Sequence, residues 1–138
     1  NIGPTGSVIV WNKSFECGRN EELGCRLPHK KVFLQSVNDR VFDLRDIFTK
    51  QYFVHKDFRG STSIKGILPV IAPELSYADL DIHEGGTASQ SWNRLTTSDI
   101  RREEKAKTEE DLRKYCERDT YAMYVIWKHL YDMCQAVL

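Results

Sequence analysis

Neither sign of charge dominates this chain: 20 lysine and arginine residues balance 20 aspartate and glutamate residues. Bulk attraction to a polyanion or a membrane surface is thereby excluded, so any polyanion site has to be local. No apolar run approaches the roughly 20 residues that a membrane-spanning helix needs. The 4 cysteines, Cys17, Cys25, Cys116 and Cys134, include no C-x-x-C pair, and they build no disulfide-rich framework. They read as reduced thiols of a cytosolic, cytoplasmic protein. His29, His55, His83 and His129 show none of the spacings of zinc ligands. Internal repeats and low-complexity segments are also missing.

What is present is the composition of an ordinary globular domain, 41% hydrophobic and 29% charged over 138 residues. That length is expected to form a single domain, 1–138. The chain opens on asparagine, and "NIGPTGSVIVW" runs into an apolar segment almost at once, as expected of a piece of a longer protein.

The β-branched run 7–11, "SVIVW", predicts a buried strand that Asn12 ends. Ser14 is placed to cap a helix from about Phe15, with Glu16 in its first turn. Residues 29–40 predict a second helix after Pro28, with Val32, Phe33 and Val37 in register. "RVFDL", 40–44, reads as a second short strand. Pro69 and Pro73 limit 61–71 to one short helix, and the acidic stretch that follows carries Glu74, Asp79, Asp81 and Glu84. Residues 84–95 read as a loop entering a helix through Ala88, Trp92 and Leu95. "SDIRREEKAK" reads as a solvated connector. Thr108 with Asp111 fits a cap for a last helix reaching about Val137. The whole is a helix-rich α/β chain with two strands.

One residue of that last helix is out of place. Asp119 falls on the stripe of Leu112, Cys116, Ala122, Met123, Ile126 and Leu130, nearly two whole turns beyond Leu112. A charge on an inward face is costly unless it is paired or coordinated. Tyr115 lies one turn earlier on the same face. A rigid helix-borne carboxylate can ligate Mg²⁺ or Mn²⁺, and a neighbouring phenol can orient a water there. Alternatively an arginine from elsewhere pairs with Asp119, and Tyr115 is a core ring with a wet hydroxyl. Arg118, off that face, is expected to be solvated or paired.

At the other end, "NKSFE" places Asn12 and Glu16 where a strand runs into a helix. A sheet edge can hold a second oxygen ligand firmly, although Glu16 also suits an exposed first turn. The segment 50–66 carries Lys50, Lys56, Arg59 and Lys65 interleaved with Tyr52, Phe53 and Phe58. Lys56, Arg59 and Lys65 could hold phosphates while Phe58 stacks on a base. Gly60, Ser61 and Ser63 would let backbone N–H groups approach a phosphate. A solvated loop explains the same residues.

In this order the two acidic elements resemble the DnaQ-like exonucleases of the ribonuclease H-like superfamily, in their tyrosine variant. "NKSFE" is similar to the second motif of that family, with glutamate for the usual aspartate, and "YCERD" to its Y-x-x-x-D third motif. Asp43, in "VFDL", sits where that family has its next strand. The chain also resembles, across nearly its whole length, the bacterial family called domain of unknown function 2779. "WNKSFE", "RVFDL", "FRGSTSIKGILPVIAPELSYADLDIHEGGTAS" and "YCERDTYAM" carry that likeness.

The resemblance implies the C-terminal part of a DnaQ-like fold, with a short remnant of the sheet and its first strands missing. It implies metal-dependent 3′-to-5′ hydrolysis of DNA or RNA with two Mg²⁺ or Mn²⁺ ions. Glu16 and Asp119 would be the ligands, their carboxylates within about 8 Å of each other, and Tyr115 would orient the nucleophile. Asn12, Arg59, Lys65 and Phe58 would hold the nucleic acid. The D-x-E first motif of the family occurs nowhere in the chain. The chain is therefore expected to start downstream of it, to be inactive alone and to self-associate through the open edge of "SVIVW". With metal as the partner of Asp119, Asp119→Asn is expected to keep or raise stability when metal is absent. A non-catalytic module that binds nucleic acid or protein on the same fold is the competing expectation.

Overall fold

The computed structural model describes residues 2–75 and 77–136. Strand β1 (Val8–Val10) and strand β2 (Val41–Asp43) pair in parallel, Val8 opposite Val41 and Val10 opposite Asp43. Parallel strands cannot be joined by a tight turn. The crossover consists of helix α1 (Lys13–Arg26), a short 3₁₀ turn at Pro28–Lys30 and helix α2 (Lys31–Asn38). Asn12 itself caps α1, its Oδ1 accepting from the Phe15 N–H at 3.2 Å, so Ser14 is not the cap. The Ser14 hydroxyl instead donates to that same Oδ1 at 2.9 Å.

The buried face of α2 is Leu34, Val37 and Asn38. Val32 is 84% exposed and Phe33 47% exposed, against the register expected from the sequence. The physical reason is a polar lock between the helices: Asn38 Nδ2 donates to the Cys17 carbonyl at 3.2 Å and its Oδ1 accepts from Asn20 at 2.8 Å. That rotation satisfies a buried amide at both ends and turns Val32 outward.

Packing divides the chain into two compact units, Asn1–Ile67 and Leu68–Leu138. In the first, Leu44 and the short helix α3 (Asp46–Thr49) follow β2, and Phe48 is buried against Trp11, Phe53 and Phe58. Helix α4 (Ile64–Ile71) is the single short helix expected around Pro69. Its first turn needs Gly66. A Cβ there would fall on Ser61 Oγ and lie 2.7 Å from Ser61 Cβ, closer than real side chains approach. Gly66→Ala is accordingly expected to lower stability by about 1–3 kcal/mol, read as a shift in a urea or thermal transition.

In the second unit, helix α5 (Gly85–Thr97) and helix α6 (Arg102–Gln135) both begin earlier than the sequence suggested. Glu103 and Glu104 occupy the first turn of α6, where acids favour the positive end of the helix dipole. Of the supposed connector, residues 98–101 separate α5 from α6, and 102–107, which carry no helix breaker, join α6. Thr108 is therefore internal, its hydroxyl donating to the Glu104 carbonyl at 2.9 Å rather than capping. The end expected near Val137 lies outside the described residues. Tyr115, Ala122 and Ile126 are buried along α6, whereas Cys116 is exposed. On the outer face Tyr121, Tyr124, Trp127 and Tyr131 follow one another with ring centroids 6.1, 6.1 and 5.3 Å apart. Among the described residues no helix is long and apolar enough to cross a membrane.

Candidate functional site

The second unit answers what accompanies Asp119. The irregular segment before α5 lies along α6 with alternate residues tied to it. Tyr77 reaches Asp119, Asp79 reaches Arg118 and Asp81 reaches Lys107. The Tyr77 hydroxyl donates to Asp119 Oδ1 at 2.7 Å. Tyr115, one turn back on α6, stands beside the same carboxylate, which together with burial raises its phenol above the usual range. The Tyr77 and Tyr115 rings are tilted at 52° with centroids 6.3 Å apart, and both are 8% exposed. Gly85, at the start of α5, lies beside the Tyr115 hydroxyl, which a Cβ there would meet at an ordinary 3.6 Å. An open groove of about 660 Å³ between α5 and α6 is lined by Trp92, Leu112 and the Tyr115 ring.

Asp119 makes no ion pair among the described residues. Arg118, its neighbour, donates to both carboxylate oxygens of Asp79, at 3.3 and 3.0 Å, and holds that carboxyl below its usual range. The half-buried carboxylate is thus met by phenols and not by an arginine. Burial, and then the hydrogen bond to Asp119, push both phenols above their usual range. They remain protonated donors throughout the ordinary pH range.

That shift has a consequence for stability. A phenol whose folded value is raised keeps its full contribution below its unfolded value, near pH ~10. The contribution erodes as pH climbs above that, because the unfolded chain loses its protons first. Tyr77→Phe or Tyr115→Phe is expected to flatten the alkaline loss of stability by about 1.4 kcal/mol per pH unit per phenol removed. Urea midpoints measured from about pH 9 to about pH 11.5 for wild type and both variants check it.

In the first unit, the carboxyl ends of β1 and β2 bring polar residues together, the usual ligand-binding edge of a parallel sheet. Asp43 accepts from the backbone N–H of Lys13 at 2.8 Å and of Arg45 at 3.1 Å, tying the two strand exits to each other. Asn12 is occupied as the cap of α1. Glu16 is exposed in the first turn, with partial burial raising its carboxyl above the usual range. Arg45 runs to Thr62, its Nε and Nη2 donating at 3.2 and 3.0 Å.

The basic segment is less open than its sequence suggested. Phe58 is 6% exposed, with Phe48 and Phe53 each 5.8 Å away, so its ring belongs to the core and is not offered to a base. Tyr52, 78% exposed, is the aromatic ring at this surface. Lys50 is held by Asp46 at 2.7 Å. Arg59 is exposed and left-handed at φ 49°, followed by Gly60 at φ 77°. Lys65 lies half-buried in the first turn of α4. The structure therefore joins Tyr115 and Asp119 in one cluster, and Asn12 and Glu16 at one strand exit. Glu16, Arg59 and Lys65 belong to the first unit, Asp119 to the second.

Sequence reasoning missed Tyr77. No periodicity links an irregular segment to a helix so far along the chain; the one trace is the every-second-residue spacing of Tyr77, Asp79 and Asp81. Among the described residues no three His, Cys, Asp or Glu side chains gather as a metal site. Asp79 and Asp81 are taken up by Arg118 and Lys107, and the donors around Asp119 are protonated phenols. Within each unit, the described residues do not by themselves assemble a two-metal centre.

No solved structure matches the chain. It is 30% identical over 138 residues to "Uncharacterized protein MG366" of Mycoplasma genitalium, covering 92% of this chain and 21% of that protein. Over 137 residues it is 29% identical to "Uncharacterized protein UU173" of Ureaplasma parvum, covering 87% of this chain and 20% of that protein. The chain thus spans about a fifth of the length of the curated relatives it matches. Residues 1–63 match the family model described as "Domain of unknown function (DUF2779)".

Proposed function

We propose that this chain is part of a DnaQ-like, ribonuclease H-like nuclease within a longer protein, hydrolysing phosphodiester bonds of DNA or RNA. The observation that carries the reading is Asp119: a half-buried carboxylate on a rigid helix, without an ion pair among the described residues, held by the Tyr77 hydroxyl with Tyr115 beside it. A carboxylate fixed in this way is pre-oriented for work at one point. Tyr115, kept protonated, lies beside that carboxylate, where its hydroxyl oxygen can accept from a water and help to orient it. The parallel pair β1–β2 with its helical crossover, and Asn12 and Glu16 at the strand exits, are what such a fold supplies at its ligand-binding edge. Arg59 and Lys65 are the basic residues proposed to hold the strand. Mg²⁺ or Mn²⁺ would be a cofactor of the whole protein only, with most of its carboxylates coming from outside this chain.

The test is hydrolysis of end-labelled single-stranded DNA and RNA by the full-length protein with Mn²⁺ or Mg²⁺, wild type against Asp119→Asn. The expected result is turnover in wild type that falls by orders of magnitude in the variant, as for loss of an essential oriented group. Wild-type protein that cleaves neither polymer would overturn the reading.

A second reading is favoured by the same cluster. Because the Tyr77 phenol already meets Asp119, the fold can tolerate the charge without a metal, as suits a non-catalytic module binding nucleic acid or protein. Self-association belongs with it, since β1 and β2 form a two-stranded sheet with open outer edges among the described residues. Oligonucleotide binding without cleavage would select this second reading.

A further inference from the structure

We infer that Tyr77 is the positioning residue that sets the orientation of Asp119. The two are far apart in the chain, yet the phenol donates to Oδ1 of Asp119 at 2.7 Å. Helix geometry alone supplies a different constraint. Tyr115 stands one turn before Asp119 on the same helix, so it approaches the carboxylate only along the helix axis. A carboxylate held from one side still turns about its terminal torsion, which is broad and shallow. A second donor from another segment removes that freedom, and Tyr77 is that donor.

The segment carrying Tyr77 is itself anchored. Asp79 binds Arg118, the residue next to Asp119, through two hydrogen bonds, and the Leu80 N–H closes a turn on the Tyr77 carbonyl at 3.1 Å. Tyr77 is buried, with its ring against that of Tyr115, so the hydroxyl has little room to move away. Both phenols stay protonated, and a protonated phenol can only donate its hydrogen to a carboxylate, never compete with it for one. Removing the Tyr77 hydroxyl should therefore free the Asp119 side chain without disturbing the ring packing. The consequence for turnover rests on the proposed nuclease reading; the consequence for the orientation of Asp119 does not.

The experiment compares Tyr77→Phe with Asp79→Asn in the full-length protein and takes two readouts. The first is the ¹³Cγ resonance of Asp119, assigned by its loss in Asp119→Asn. Tyr77→Phe is expected to move it the more, because a hydrogen bond to the carboxylate has gone, whereas Asp79→Asn loosens the segment but keeps the Tyr77 hydroxyl and moves it less. The second is steady-state hydrolysis of a labelled oligonucleotide. Tyr77→Phe is expected to lower kcat about tenfold at unchanged KM, the effect of one oriented hydrogen bond. A purely structural role for Tyr77 would leave the resonance and kcat alike, since phenylalanine keeps the ring. An unmoved Asp119 resonance in Tyr77→Phe overturns the inference whatever the activity. If the resonance moves while Asp119→Asn cleaves as well as wild type, the inference stands and the nuclease reading falls.

Discussion

Asp119→Leu is expected to destabilise the protein by about 2–5 kcal/mol, and to do so equally with and without divalent metal. Leucine accepts nothing, so the Tyr77 hydroxyl loses its carboxylate acceptor at about 1–3 kcal/mol, and Tyr115 faces an apolar side chain where a carboxylate stood. Asp119→Asn should be milder, about 1–2 kcal/mol, because its amide oxygen still accepts from one phenol while its NH₂ faces the other. The sequence had suggested that Asp119→Asn would keep or raise stability without metal, on the reasoning that only a cation could offset the charge. A permanent arginine partner would instead predict a loss of roughly 3–5 kcal/mol from a broken buried pair. The neutral Tyr77 donor at Asp119 predicts instead a real but smaller loss for asparagine and a larger one for leucine. Urea unfolding of the two variants, with and without Mn²⁺, checks the ranking. Asparagine as costly as leucine, or a loss seen only when metal is present, would contradict the cluster.

Ile126→Ala should lower stability by about 2–5 kcal/mol, the range for truncating a wholly buried branched side chain. Ile126 is 0% exposed on α6. Two residues back, Tyr124 is 54% exposed and stacks only on its neighbours along the outer face. Tyr124→Ala should cost about 0.5–1.5 kcal/mol, the scale of an aromatic pair at the surface. Thermal or urea transitions of the two variants decide which stripe of α6 is the core. Similar losses in both would mean that the outer aromatic face is covered.

That contrast also marks what could be read from residue order. The short strands around 7–11 and 40–44, the helix after Asn12, the short helix at Pro69 and the long final helix follow from local rules. Those rules are β-branched runs, breakers and the 3.6-residue period, and all of these elements are present. The rotation of α2 was not legible, because Val32 and Phe33 are as apolar as the residues it buries, and the buried Asn38 that sets its register looks like a surface residue until Cys17 and Asn20 are beside it. Phe58 looked like an exposed stacking ring because irregular segments carry no period; its burial depends on Phe48 and Phe53 meeting in space.

The candidate site divides in the same way. By itself the sequence determined that Asp119 and Tyr115 share one face of a helix, since residues one turn apart must be neighbours there. It also determined that a charge on that face requires a partner, since burying an unpaired carboxylate is too costly. Which partner answers the requirement was decided only by tertiary structure. Tyr77 comes from a segment with no repeating pattern, and Arg118, the nearest cation in the sequence, is drawn instead to Asp79. The reason is geometric. A local rule reaches about one helical turn, whereas the hydrogen bond that meets Asp119 is closed by a segment tied to α6 at Lys107 and Arg118 as well.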